Sequence, residues 1–476
     1  MGQNRFGKII AEHFNPLRFQ NVYQFMLALR QSSLCLFLAF AFGFCANAAQ
    51  TNLLVWHKAA DRVDADIRDE ALWPLLETIA VDAGWRVYVE PGTTRTVSTK
   101  FKELSSGDAL KMLLGNLNFA LVPQTNAPAR LYVFTTKMQN ATRLVASGKS
   151  ARHVPNELLI RVKPGTDIEA LAKLLGAKIV GRIDKLGIYR LQFPDAAATD
   201  AALAQLQSDS DVLDVDYNYY FDPPPVAQEI PSASGQLAPL ALSLNPPASD
   251  CSKVIIGLPD TAVQSLGKLD QFISQRISVA DGSPDPSTLL HGTGMAQTIL
   301  DAIAKVQPGG TSVQIVSADV YGSSETATTW NVALGIQAVI NKGATFVNLS
   351  LGGSGQSPVL QSLIQSAEQD GIGFFAAAGN EPVTTPTYPA AYPGVNAVTA
   401  LQNGQLAPYA DYGSFVDMAL PGASVVYLGN QAYMVQGTSV STAYATGIAA
   451  GNEAVNCAGL PQIQAAMQKQ FAVPSK

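Results

Sequence analysis

Charge is scarce in this chain of 476 residues: Asp, Glu, Lys and Arg make up 14% of it and sum to a formal net charge of −6. Residues 250–476 hold 14 Asp/Glu against 7 Lys/Arg, so this half offers no basic surface to neutralise phosphates, and nucleic acid is not an expected partner. Long apolar runs are nearly absent too. Only residues 34–45 form one, and its twelve residues fall short of the roughly 20 that a membrane helix needs, so no membrane span is expected in the mature chain. There is no internal repeat. Cysteine and histidine number four each, which leaves few candidates for a thiol, a metal ligand or an imidazole base. What is abundant is apolar character, 47% of residues, in a chain too long for one ordinary core. Several globular domains are expected.

The apolar run "LCLFLAFAFGFC" follows Arg30 and precedes "ANAAQ", whose small residues Ala46 and Ala48 fit a signal-peptidase site. Residues 1–48 are therefore expected to be a signal peptide and the mature protein to be exported. Cys35 and Cys45 leave with that leader, and Cys251 and Cys457 remain. In an exported chain such a pair is expected to form a disulfide.

Residues 52–136 alternate strand and helix patterns: "RVDADI" (62–67), a helix capped by Asp69 with apolar Leu72, Leu75, Leu76, Ile79 and Ala83, strands "WRVYV" and "TVSTKF", and a helix capped by Ser106. This small α+β domain resembles the short N-terminal domain of secretins and TonB-dependent receptors. That resemblance implies docking to an envelope protein and a Gram-negative periplasm or medium as the location. A polar linker is expected over 137–153. Residues 154–220 read as a split βαβ unit. The phrase "LLIRVKPGTDIEALAKLLGAKIVGRIDKLGIYRLQF" resembles the inhibitory propeptide of subtilisin-like serine proteases. Proline recurs from "FDPPPV" to "LNPPAS", so 221–249 is expected to be an extended, accessible linker holding a processing site.

From 250 to 476 strands and helices alternate, the rhythm of a doubly wound, mostly parallel α/β sheet with sites at the carboxyl ends of strands. The fold class is therefore α/β, preceded by two small α+β domains. His291 is the only histidine in this domain, so a serine nucleophile would have no other imidazole base. The blocks "PDTAV" (259–263), "HGTGMAQTI" (291–299), "NLSLGG" (348–353), "AAAGN" (376–380), "YPAAYPGVNAVTA" (388–400), "YGSFVDMALPG" (412–422) and "GTSVSTAYATGIAA" (437–450) resemble the subtilisin-like serine proteases, in family order. The resemblance implies a triad of Asp260, His291 and Ser439, with Asn380 and the Ser439 N–H as oxyanion donors. Sedolisins share the "GTS" block but use acidic residues where His291 and Asn380 stand here.

By the same resemblance, Ser350, Leu351, Gly352, Ala378 and Gly379 bracket the substrate and line its primary pocket, where small side chains imply an apolar or broad preference. Family members often bind structural calcium, yet no acidic loop has ligand spacing, so no metal and no other cofactor is expected. Three departures stand out: Pro259 before the aspartate, Gln297 where a glycine normally packs closely, and Ala443-Tyr444 for the usual proline and histidine. A glutamine there can shift the helix carrying His291. The expected function is an exported, self-processing serine endopeptidase zymogen whose partners are protein or peptide substrates and its own propeptide. The rival is a weak or inert protease-like envelope protein that acts by docking.

Overall fold

In the computed structural model the described residues are 52–124, 128–145, 152–221, 224–231 and 242–474. The expected signal peptide lies outside them. The first domain has one antiparallel set, β1 (Leu53–His57), β2 (Arg62–Ala71) and β4 (Thr96–Leu104), and a second sheet in the order β5 (Asn118–Val122), β6 (Arg130–Phe134), β3 (Arg86–Val89), β7 (Arg143–Val145). Helices α1 (Leu72–Ala83) and α2 (Ser106–Leu114) bury their leucines between the sheets.

Both expected caps move by a residue or more. Asp69 sits in a bulge of β2 with φ 49°, where its N–H donates to Ser98 Oγ, and α1 starts only at Leu72. The cap of α2 is Ser105, whose hydroxyl accepts from Asp108 N. Ser106 is buried and instead accepts from Trp56 Nε1. The stretch expected to be a linker contributes β7, which pairs antiparallel with β3.

The second domain is a four-stranded antiparallel sheet, β11 (Val212–Tyr219), β8 (His153–Val162), β10 (Ile188–Gln192), β9 (Lys178–Ile183), with α3 (Ile168–Leu174) and α4 (Ala196–Leu206) packed on one face. Its other face meets the third domain. A β-carbon at Gly181 would fall 2.3 Å from the Trp330 ring, so only glycine lets the sheet lie this close. After this domain, β12 (Gln228–Glu229) and β13 (Ser243–Leu244) are the only strands among the described linker residues.

The third domain is built on an eight-stranded sheet. Its order is β15 (Ile273–Ser278), β17 (Gln314–Asp319), β14 (Ile255–Asp260), β18 (Phe346–Leu349), β19 (Gly373–Ala377), β20 (Asn396–Gln402), with β21 (Gln405–Leu406) antiparallel and β22 (Met418–Pro421) parallel to β20. A two-stranded pair, β13 and β16 (Gly310–Thr311), lies apart from it, and β23 (Ala423–Leu428) and β24 (Gln431–Gln436) form a hairpin. Helices α5 (His291–Val306) and α8 (Thr438–Asn456) pack into one core. Helices α6 (Thr329–Ile340) and α7 (Pro358–Gln369) pack into another. Helix α9 (Leu460–Gln470) follows Cys457, which is bonded to Cys251 with 5.5 Å between their Cα atoms. Helices on both faces of a parallel sheet are the expected doubly wound arrangement. Pro259 is accommodated because β18 pairs only with Ile256 and Gly257, so that ladder has ended before the residue lacking an N–H.

Candidate active site

Strand β14 carries Asp260 at its carboxyl end, 1% exposed. Helix α5 opens with His291, whose Nδ1 lies 2.8 Å and 3.0 Å from the two Asp260 carboxylate oxygens. A carboxylate only accepts, so Nδ1 carries the proton and Nε2 keeps its lone pair. That Nε2 is buried and has no hydrogen-bond partner among the described residues. The close start of α5 depends on Gly292: its N–H donates to Thr261 Oγ1 at 2.8 Å, and a β-carbon there would fall 2.1 Å from the Thr261 carbonyl. Gln297 bridges α5 and β23. Its amide donates to Tyr427 O at 2.7 Å and accepts from Tyr427 N at 2.9 Å, which ties α5 to β23 instead of pushing it away.

The hydroxyls of "GTSVSTAY" separate by environment. Ser441 Oγ donates to Leu420 O at 3.0 Å, Thr442 Oγ1 donates back to Thr438 O at 2.8 Å, and both residues are fully buried. Thr438 Oγ1 accepts from Gly379 N at 3.1 Å. Ser439, in the first turn of α8, lines a cleft of about 720 Å³ and donates to Ser350 O at 3.2 Å, while Ser350 Oγ donates to Ser439 O at 2.9 Å. Asn380 follows β19 and lines the same cleft; its Oδ1 accepts from Thr438 N at 2.9 Å, so Nδ2 is the end available to donate. Ala443 is buried in α8, and the Tyr444 ring lies 4.4 Å from Lys305 Nζ, so both departures pack in the core.

Ser350, Leu351, Gly352 and Gly379 line the cleft. Ala378 does not: it is fully buried and its N–H donates to Val398 O, so Ala377 takes the cleft-side place. In an extended strand alternate residues face opposite sides, and the sequence reading was out by one.

The sequence reading also missed what reaches the cleft from the other two domains. The end of β11 continues into it: Phe221 N donates to Ala327 O at 2.9 Å, and the Pro225 ring lies 3.5 Å from where a Gly437 β-carbon would stand. Beyond it β12 pairs antiparallel with β24. Pro224 and Pro225 thus line the same cleft as Ser439. From the first domain, Arg86 and Leu144 line the same cleft. Arg86 pairs with Glu381, and Leu144 N donates to Thr385 Oγ1 at 3.0 Å.

Two helix starts receive β11. Asn218 Oδ1 accepts from Trp330 N at 3.0 Å, and Asp216 Oδ2 accepts from Ser357 Oγ at 2.6 Å and Val359 N at 3.1 Å. Burial pushes the Asp216 carboxyl up to about 7 in spite of those donors.

Among the described residues one group of three or more ligand-type side chains comes together, His57, Asp64 and Glu103 in the first domain; the third domain has none. No described helix is long and apolar enough to cross a membrane.

Comparison with known proteins gives a match of the subtilase family model to residues 252–469 and of the fervidolysin N-terminal prodomain model to residues 139–218. The chain is 36% identical over 187 residues to a thermostable alkaline protease of Halalkalibacterium halodurans, covering 38% of this chain and 49% of that one. It is 31% identical over 209 residues to subtilisin Savinase of Lederbergia lenta, covering 42% of this chain and 76% of that one. The M-protease of Shouchella clausii is matched over 53% of its length, so this chain spans about half of some of these relatives. The crystal structure of fervidolysin from Fervidobacterium pennivorans aligns at 19% identity with a TM-score of 0.47, over 63% of this chain and 54% of that one.

Proposed function

The chain belongs to the subtilase family, and on that premise we propose that it is an exported serine endopeptidase made as a self-processing zymogen. Ser439 attacks a peptide carbonyl, His291 Nε2 takes its proton and returns it to the leaving amine, and Asp260 holds the imidazole in that tautomer and stabilises the imidazolium. The oxyanion takes hydrogen bonds from Asn380 Nδ2 and the Ser439 N–H, at the positive end of α8. The acyl-enzyme is then hydrolysed by water activated at the same imidazole. One observation carries this reading: the domain's only histidine is bound through Nδ1 to a buried carboxylate while Nε2 has no partner among the described residues. A buried, unpaired ring nitrogen costs free energy unless a reacting group is meant to use it.

Residues 154–220 act as the inhibitor, their tail lying along the cleft, and self-cleavage falls within 221–249. Peptides and proteins are the substrates. No step runs through a metal. Export rests on the leader of residues 1–48, and the first domain, read as an envelope-docking module, favours a Gram-negative periplasm or medium. The test follows chain length and labelling by a fluorophosphonate in the wild type and in Ser439→Ala. The wild type shortens and labels, whereas the variant does neither. A wild type that stays full length and unlabelled leaves the docking protein with an inert protease-like domain as the reading.

A further inference from the structure

Gly352 and Gly379 line the cleft beside Ser439, and both lie against Thr387. A β-carbon on Gly352 would stand 3.0 Å from Thr387 Cγ2, and one on Gly379 would stand 3.1 Å from Thr387 Oγ1. The same imagined atom on Gly379 would lie 2.2 Å from Asp411 Oδ2. Gly379 has φ 119°, so both the space and the backbone demand glycine there.

Asp411 is thus a carboxylate packed directly behind Gly379, next to Thr387, in the cleft that holds Ser439. It is 3% exposed and lines the cleft. Its Oδ1 is used by the fold, accepting from Glu381 N at 2.7 Å and Val383 N at 3.3 Å. Among the described residues its Oδ2 has one partner, Thr387 Oγ1 at 3.4 Å. Among the described residues no cation pairs with Asp411, although Glu381, another acid of this cleft, has Arg86. A buried carboxylate with one oxygen nearly unpartnered is costly to keep unless a donor arrives. Burial accordingly pushes its carboxyl up to about 7.

We propose that Asp411 Oδ2 is the recognition atom of the primary specificity pocket, which selects lysine or arginine in the residue that supplies the attacked carbonyl. The proposal rests on the protease reading given above and replaces the apolar or broad preference that the small wall residues imply. A long alkyl stem suits the glycine walls, and its cationic head meets the carboxylate at the end. The linker from 222 to 249 contains no Lys or Arg. Its own cleavage therefore proceeds without the pocket's help and draws on the high effective concentration of an intramolecular bond. Once cut, the enzyme has little tendency to attack other copies at the same place.

The test uses the full chain, incubated until it shortens, and aminoalkyl diphenyl phosphonates that differ only in an arginine-like or a leucine-like side chain. A fluorophosphonate, which needs no pocket, reports the nucleophile separately. The arginine-like reagent should label Ser439 at least about tenfold faster than the leucine-like one, as expected for a desolvated charge pair. Asp411→Asn keeps an Oδ1 acceptor for the two backbone donors. It should bring the arginine-like to leucine-like rate ratio down to about one or below, each rate being divided by that variant's own fluorophosphonate rate. Faster labelling by the leucine-like reagent in the wild type overturns the proposal, as does an unchanged preference in Asp411→Asn. Absence of fluorophosphonate labelling in the wild type fails the protease reading itself, and this one with it.

Discussion

At the scale of single residues, the site is a matter of which polar atoms the fold consumes and which it leaves. Ser441 and Thr442 spend their hydroxyls on carbonyls, and Asn380 spends its oxygen on α8, but His291 Nε2 has no described partner. Asn380→Ala should therefore leave substrate binding nearly unchanged and lower kcat by about 10²–10³, the magnitude known for the corresponding donor of a subtilisin. Comparing kcat with KM in the two proteins checks this, since a merely structural role would move both. Asp260, His291, Asn380 and Ser439 were legible because each sits in a short block of distinctive composition. Asp411 was not, because an isolated acid in "YADYG" has no pattern that separates a surface residue from a pocket floor. Ala378 was misassigned because strand facing changes with a one-residue slip, which composition cannot detect.

At the scale of elements, β11 carries the most informative contact. It delivers Asp216 to the first turn of α7, where the carboxylate accepts two donors, yet Oδ1 stays buried without a partner among the described residues. The group's pKa is raised when docked, to about 7, and returns to the ordinary carboxylate range when the prodomain leaves. Docked Asp216 thus binds its proton more tightly than free Asp216, so docking is strongest below the free value, about 4. It weakens as pH rises through about 7 and is level above that. After the linker is cut, the fraction of prodomain released at fixed dilution should rise between pH 4 and 7, and Asp216→Asn should flatten that rise, as size-exclusion profiles across the range would show. The elements themselves were largely legible from periodicity and turn residues. Strand β7 was not, because a three-residue strand in a polar stretch carries no period, and its place depends on the edge that β3 offers.

At the scale of the molecule, three domains meet around one cleft within the compact unit Leu54–Lys476. The prodomain tail lies along it, and the first domain holds the segment from Glu381 to Thr385 through Arg86, Leu144 and a Thr384 N–H to Thr142 O bond of 2.9 Å. None of this was visible in the sequence, because contacts between domains depend on complementary surfaces and leave no repeating signature. The Cys251–Cys457 bond closes a loop across nearly the whole peptidase domain, with a sequence separation of 206. Replacing both cysteines by serine should lower stability by about 2–5 kcal/mol through a less restricted unfolded chain, read as a fall in Tm of the oxidised protein that reduction of the wild type reproduces.

The most direct test of the whole is the site of fluorophosphonate attachment, read by peptide mass in wild type and Ser439→Ala. The wild type is predicted to shorten and to carry one adduct, on Ser439, while the variant stays full length and unmodified. A wild type without adduct, or a variant that still carries one on Ser441, would contradict the account.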